Sequence, residues 1–206
     1  MEKHALEYEC PHCGKGGQCE WKDTINRVED RNDYQALLEG RYFDTVCAHC
    51  GNMVKVVHCV LLHDPIRKAM CFFAPDEPSV SQAVQSIKAA GNTTEGQALR
   101  DYQIRIVSDE KKLEEKALIW YLGYDDKAVE MWKLTYLYHI ISHREDFEAE
   151  ESCLVKNEKG TFIAFYHEGE YIGAVEADPA LIDDVKNRFL SVPTGAEEND
   201  LFVDEA

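Results

Sequence analysis

Two short motifs, C-P-H-C-G at residues 10–14 and C-A-H-C-G at 47–51, constrain this chain more than anything else in it. A two-residue gap between cysteines lets one tight turn aim both thiols at a single point. A glycine directly after the second cysteine suits a backbone of positive φ that passes close to sulfur. Two such turns side by side make a closed set of four soft ligands, Cys10, Cys13, Cys47 and Cys50. That set suits one structural Zn2+, with Zn–S near 2.3 Å and no open coordination position. Pro11 stiffens the first turn.

The two pairs enclose 33 residues, more than the roughly 15–20 of the commonest ribbon spacing. The excess reads as an inserted helix, N-D-Y-Q-A-L-L-E-G at 32–40. It is capped by Asn32 or Asp33, presents Leu37 and Leu38 on one face and stops at Gly40. Two other readings are weaker: four buried reduced cysteines, or a redox dithiol. Neither C-x-x-C opens a helix in a βαβ unit, which weighs against a redox dithiol.

The flanks read as short strands: 5–9 into the first pair, 18–25 returning, 41–46 into the second pair and 53–62 after it, with 69–74 as its antiparallel partner. Pro78 and Gly91 frame a helix. A strand at 102–107 follows. Ser108 caps a helix ending at Gly123, and Asp125 caps a longer one. Beyond a charged connector at 144–151, residues 152–176 alternate as three strands, with Glu168-Gly169 as a two-residue hairpin turn. Asp178-Pro179 opens a last helix. The expected fold class is α+β: a zinc-ribbon-like antiparallel sheet with an inserted helix, then helices and a C-terminal β-meander plus helix. The expected domains are 5–143, 152–190 and an acidic disordered tail at 191–206.

Charge limits the partners. With 22 Lys+Arg against 39 Asp+Glu, the net formal charge is −17. Residues 1–75 hold nine bases and eleven acids, so the rest of the chain carries nearly all of the excess. Such a surface repels phosphate backbones, and nucleic acid is not an expected partner. A zinc-ribbon nucleic-acid binder would have to draw on Lys15, Lys22, Arg27, Arg31, Arg41 and Lys55. No run reaches the length of a membrane span, and residues 1–10 lack the apolar core of a secretory leader. Eight cysteines without that leader point to a reducing, cytoplasmic setting.

Candidate chemistry outside the cysteines is sparse. His63 and Asp64 end a strand, as an acid–base pair or simply as the start of the H-D-P turn, in which Asp64 accepts backbone N–H groups. The turn is the favoured reading, and no catalytic residue is assigned. His139 and His143 are spaced i, i+4 on one helix without a third ligand. His12 and His49 are expected to face outward. Trp120, Tyr121, Trp132, Tyr136 and Tyr138 read as core aromatics.

The order of motifs resembles the CpXC domain proteins, a mainly bacterial family. The resemblance rests on CPHCGKGG at 10–17, WKDTIN at 21–26, ALLEGRYFDTVCAHCG at 36–51, CVLLHDPIRKAMCFFAP at 59–75 and YQIRIVSDEKKLEEKALIWYLGYDDKAVEMWKL at 102–134. It spans roughly 5–140 and leaves 145–206 outside. Ala48 stands where the family often has proline, which leaves the thiols in place. The resemblance implies little about activity. The function expected from all of this is a non-enzymatic module that meets a protein partner, with the nucleic-acid binder, or an enzyme working at His63 and Asp64, as the alternatives.

Overall fold

A computed structural model describes residues 4–91, 99, 101–143, 147–190 and 201–203. The chain is mixed α+β and divides into two compact units, residues 1–114 with 199–206, and residues 115–198.

In the first unit, β1 (His4–Glu9) and β2 (Gly16–Trp21) form an antiparallel hairpin. A second hairpin joins β4 (Asp44–Val46) and β5 (Met53–Lys55). Each hairpin carries one cysteine pair in its turn. The remaining strands build a separate mixed sheet from β3 (Thr24–Asn26), β6 (Val60–Asp64), β7 (Ala69–Phe73) and β8 (Gln103–Val107), with β12 (Leu201–Val203) beside β8. In it β6 and β7 run antiparallel, each alternating buried and partly exposed residues, while β3–β6 and β7–β8 are parallel. The parallel β7–β8 pair needs a crossover, which α2 (Glu77–Gly91) supplies.

Two expected strands are each divided. The 18–25 segment becomes β2 and β3, because the Asp23 carbonyl turns to accept Leu61 N–H at 2.8 Å. The 53–62 segment becomes β5 and β6. Between them Val56 N–H bonds the Phe43 carbonyl, and His58 Nδ1–H bonds the Val56 carbonyl at 3.1 Å. His58 sits half-buried among Trp21, Tyr42 and Phe43, with ring centroids 5.0–5.7 Å away. The sheet core is Ile25, Leu62, Cys71, Phe73, Ile106 and Val107, with Tyr34 and Leu37 of α1 (Arg31–Leu38) also buried.

Helix starts differ from the sequence reading. For α3 (Glu110–Leu122), Asp109 rather than Ser108 takes the cap role, accepting Lys111 and Lys112 N–H groups. At α1 neither Asn32 nor Asp33 caps, since the helix begins at Arg31. Asp30 holds the N-cap place, with its side chain engaged by the Asn26 amide and Lys22.

In the second unit, α3 stops at Gly123 (φ +86°), whose N–H reaches back to the Ile119 carbonyl. Asp125 then caps α4 (Asp126–His143) through Ala128 N–H. A meander follows: β9 (Glu151–Asn157), β10 (Gly160–His167) and β11 (Glu170–Glu176), with β10 central. Glu168 and Gly169 have φ of 48° and 79°, the double left-handed turn that a two-residue hairpin favours. Asp178 caps α5 (Pro179–Val185), and a wider helical turn, Lys186–Leu190, continues it. Trp120, Val129, Trp132, Leu154, Ile163, Phe165 and Ile182 are buried.

Within this unit lies a buried ionic cluster. Lys133 Nζ bonds both Glu115 oxygens at 2.9 and 3.1 Å and Glu130 at 2.9 Å, and Lys116 reaches Glu130 at 3.0 Å. Glu115 also accepts Leu154 N–H at 2.6 Å, which occupies an outer backbone group of the edge strand β9. The acidic segment read as a disordered tail lies outside the described residues except for β12.

Candidate metal centre

The two cysteine turns are built alike, one hydrogen bond for another. Cys10 N–H bonds the Lys15 carbonyl at 3.0 Å and Gly14 N–H bonds the Cys10 carbonyl at 2.8 Å. In the second turn Cys47 N–H bonds the Asn52 carbonyl and Gly51 N–H the Cys47 carbonyl, both at 2.9 Å. Gly14 and Gly51 have φ of +67° and +72°, as the C-x-x-C-G spacing requires. The repeat in sequence is thus a repeat of backbone geometry.

The turns face each other. Cys10 and Cys50 sulfurs lie 3.7 Å apart, and Cys13 and Cys47 sulfurs 3.8 Å apart. All four Sγ atoms lie within 4.8 Å of one another, and no other group of three or more His, Cys, Asp or Glu ligands gathers in this way among the described residues. No disulfide joins them. An ion bound at about 2.3 Å to four sulfurs in a tetrahedron sets the sulfurs about 3.8 Å apart, so the described spacing fits a closed S4 site.

Burial and backbone dipoles prepare the thiols. Cys10 and Cys47 are buried with Val54 and Val56, and Leu6, Tyr8, Cys13 and Cys19 pack against them. The backbone N–H groups of His49 and Cys50 bring the Cys47 thiol down to about 6, and hydrogen bonds from Cys10 and Cys50 add to this. At Cys13 the Lys15 N–H acts in the same direction, but desolvation and the neighbouring thiols push it up to about 11. The Cys13 and Cys47 thiols are thus pushed in opposite directions by their neighbours, and a cation among the sulfurs would remove that conflict.

Several supporting contacts were not legible in the spacing. His49 Nε2–H bonds the Gly16 carbonyl at 3.2 Å and so ties the two hairpins together. Asn52 Nδ2 reaches Cys50 sulfur at 3.5 Å. The Tyr8 ring covers Gly17 across the hairpin, so close that a Cβ on Gly17 would lie 2.6 Å from it.

His63 and Asp64 do not form a pair. They are consecutive on β6 and leave opposite faces of it. Asp64 is 0% exposed: Oδ1 accepts Ile66 and Arg67 N–H groups at 3.0 Å, and Oδ2 takes Arg27 Nη1 at 2.5 Å. His63 Nε2 lies 3.4 Å from the Tyr102 hydroxyl. The His139 and His143 rings lie 4.4 Å apart, tilted by 42°, on an exposed helix surface. Of the six bases that a nucleic-acid binder would use, four engage carboxylates: Lys22 with Asp30 and Asp33, Arg27 with Asp64, Arg41 with Glu39, and Lys55 with Glu110. Among the described residues no helix is long and apolar enough to cross a membrane.

Comparison with curated proteins and with solved structures returns no match. A family model described as CpXC protein matches residues 8–133, which takes in both cysteine turns, every strand of the mixed sheet except β12, and most of the helix pair after it. The chain belongs to the CpXC family.

Proposed function

We propose that Cys10, Cys13, Cys47 and Cys50 hold one Zn2+ as a structural centre, and that the chain is a non-enzymatic module for meeting a protein partner in a reducing cytoplasm. The observation that carries the metal reading is the convergence of four sulfurs at tetrahedral spacing. Bound there, the ion supplies cross-linking and charge compensation; the thiols, their amide donors and the apolar cover do the holding.

The partner reading is supported next to the centre. Val46 precedes Cys47 and Met53 lies opposite Val46 across the hairpin, and each is 61% exposed. Two apolar side chains displayed on a hairpin that the centre rigidifies form a small preorganised contact. The engagement of four of the six bases argues against the nucleic-acid alternative, and the separation of His63 from Asp64 argues against the enzymatic one.

Elemental analysis of the purified chain tests the metal reading. One zinc per chain is expected, with thiol reagents reaching Cys10, Cys13, Cys47 and Cys50 only after chelation. Metal-free protein that is folded, with all four thiols titratable, would falsify it.

A further inference from the structure

The second half of α4 presents an apolar stripe to solvent. Every residue of α4 that is buried (Asp126, Ala128, Val129, Trp132 and Lys133) falls in its first two turns. At 100° per residue, Leu134, Tyr138 and Ile141 fall on the side of the helix opposite that buried face. They are 61%, 77% and 46% exposed. Their spacing, three and four residues apart, is that of a seam between two helices. The partly exposed Met131 extends it one turn earlier.

Charge says what can cover this stripe. From Leu134 to His143 there is no Asp, Glu, Lys or Arg, in a chain that is 30% charged and carries −17. Two copies brought together through most of residues 76–206, which hold 13 bases and 28 acids, would juxtapose acids. Here the flanks of the seam are Thr135, Leu137 and Ser142, so like-charge repulsion is least. Between Leu134 and His143 the stripe offers no Lys or Arg to attract an acidic partner or an anionic lipid surface, and no acid to attract a basic one; Lys127, on the same side of the helix, lies beyond Met131.

We propose that this stripe is a self-association surface, occupied by the same stripe of a second copy of the chain, with Tyr138 near the two-fold axis. A two-fold contact needs one self-complementary patch, which a neutral apolar seam provides. Three helical turns bury roughly half of the ~800 Å² per partner typical of a stable interface, so the dimer is weak and concentration-dependent, in the micromolar range or above. The surface lies in residues 115–198 and does not depend on the cysteine reading.

Sedimentation of the full chain tests this. Between roughly 1 µM and 500 µM the average mass is expected to rise from one chain toward two. Tyr138→Glu and Tyr138→Lys should each remain monomeric across that range, with a melting temperature within about 1–2 °C of the parent because the side chain is exposed. An equimolar mixture of the two variants should associate again, through the opposite charges at the axis. A parent chain that stays monomeric throughout overturns the proposal. So does dimerisation of either variant at the parental concentration, or a mixture that stays monomeric. A fall of about 5 °C or more in both variants would show that the stripe is covered within its own chain, and that too overturns it.

Discussion

Arg27 reaches Asp64 at 2.5 Å, joining the turn after β3 to the end of β6, where the carboxylate is wholly buried. With its other oxygen Asp64 holds two backbone N–H groups of the following turn. Asp64→Ala therefore removes the acceptor of two turn amides and the buried carboxylate paired with Arg27, a larger loss than that of a surface cap. A destabilisation of about 3 kcal/mol is expected by urea titration. Asp64→Asn retains an acceptor for the turn and should cost less. His63→Ala should cost under about 1 kcal/mol, since its contact with Tyr102 is long. A milder effect from Asp64→Ala than from His63→Ala would contradict this picture.

The matched cysteine turns invite a matched experiment. A Cβ at Gly14 or Gly51 meets nothing within 4 Å, so alanine there costs only backbone strain at positive φ. About 1–2 kcal/mol is expected for each, and the two values should agree. Gly17→Ala differs, because its Cβ collides with the Tyr8 ring. Its cost should shrink when Tyr8→Ala is made in the same chain, whereas Gly14→Ala should show no such coupling. A double-mutant cycle on thermal unfolding decides this.

Glu114 gives the first unit a pH dependence. Burial pushes its carboxyl up to about 7, with Glu110, Asp109 and Asp44 adding and Lys55 opposing. A folded-state pKa above the unfolded value means that the folded chain binds the proton more tightly. The stability contribution is then full below about 4.5 and is lost as pH rises through about 7. Glu114→Gln should match the parent at pH 4 and exceed it at pH 8 by on the order of 1 kcal/mol, after allowance for the exposed part of the group. Equal stability of the two chains at pH 8 would refute this assignment.

In the second unit, Lys133→Met removes the cation shared by Glu115 and Glu130. Glu115 then keeps Leu154 N–H but loses its buried countercharge. A loss of about 3–5 kcal/mol is expected, read by denaturant midpoint. Replacing Glu115 and Lys133 together with Gln and Met should recover much of it. No recovery in the double variant would mean that the pair is not a unit.

How far these features could be read from sequence depends on their range along the chain. The cysteine turns were legible because five consecutive residues contain the whole motif. The Glu168-Gly169 hairpin was equally local. The β6–β7 antiparallel pair followed from alternating apolar residues around the His63–Lys68 turn. Parallel pairing of β3 with β6 was not legible, since it depends on the Asp23 carbonyl meeting Leu61, 38 residues away. The caps at α1 and α3 were misplaced by one to three residues because adjacent polar side chains compete, and Asp30 is claimed by Lys22 and the Asn26 amide. Lys116 and Lys133 sat in helices that read as ordinary amphipathic segments. Only packing of α3 with α4 reveals that both are buried with their carboxylates.

The four thiols proposed to hold the metal are split between two hairpins, and this has a consequence for the order of events during synthesis. Cys10 and Cys13 leave the ribosome well before Cys47 and Cys50, and until then the chain offers only half of a closed thiol site. Drawing residue 50 back to residue 10 closes a loop of about 40 residues, which by the relation used for covalent cross-links restricts the unfolded chain by about 4 kcal/mol. Capture of a metal by all four thiols would therefore report that the chain from β1 through Cys50 has been made and has turned back on itself. Before that point the early cysteines are exposed to whatever thiol chemistry the compartment allows.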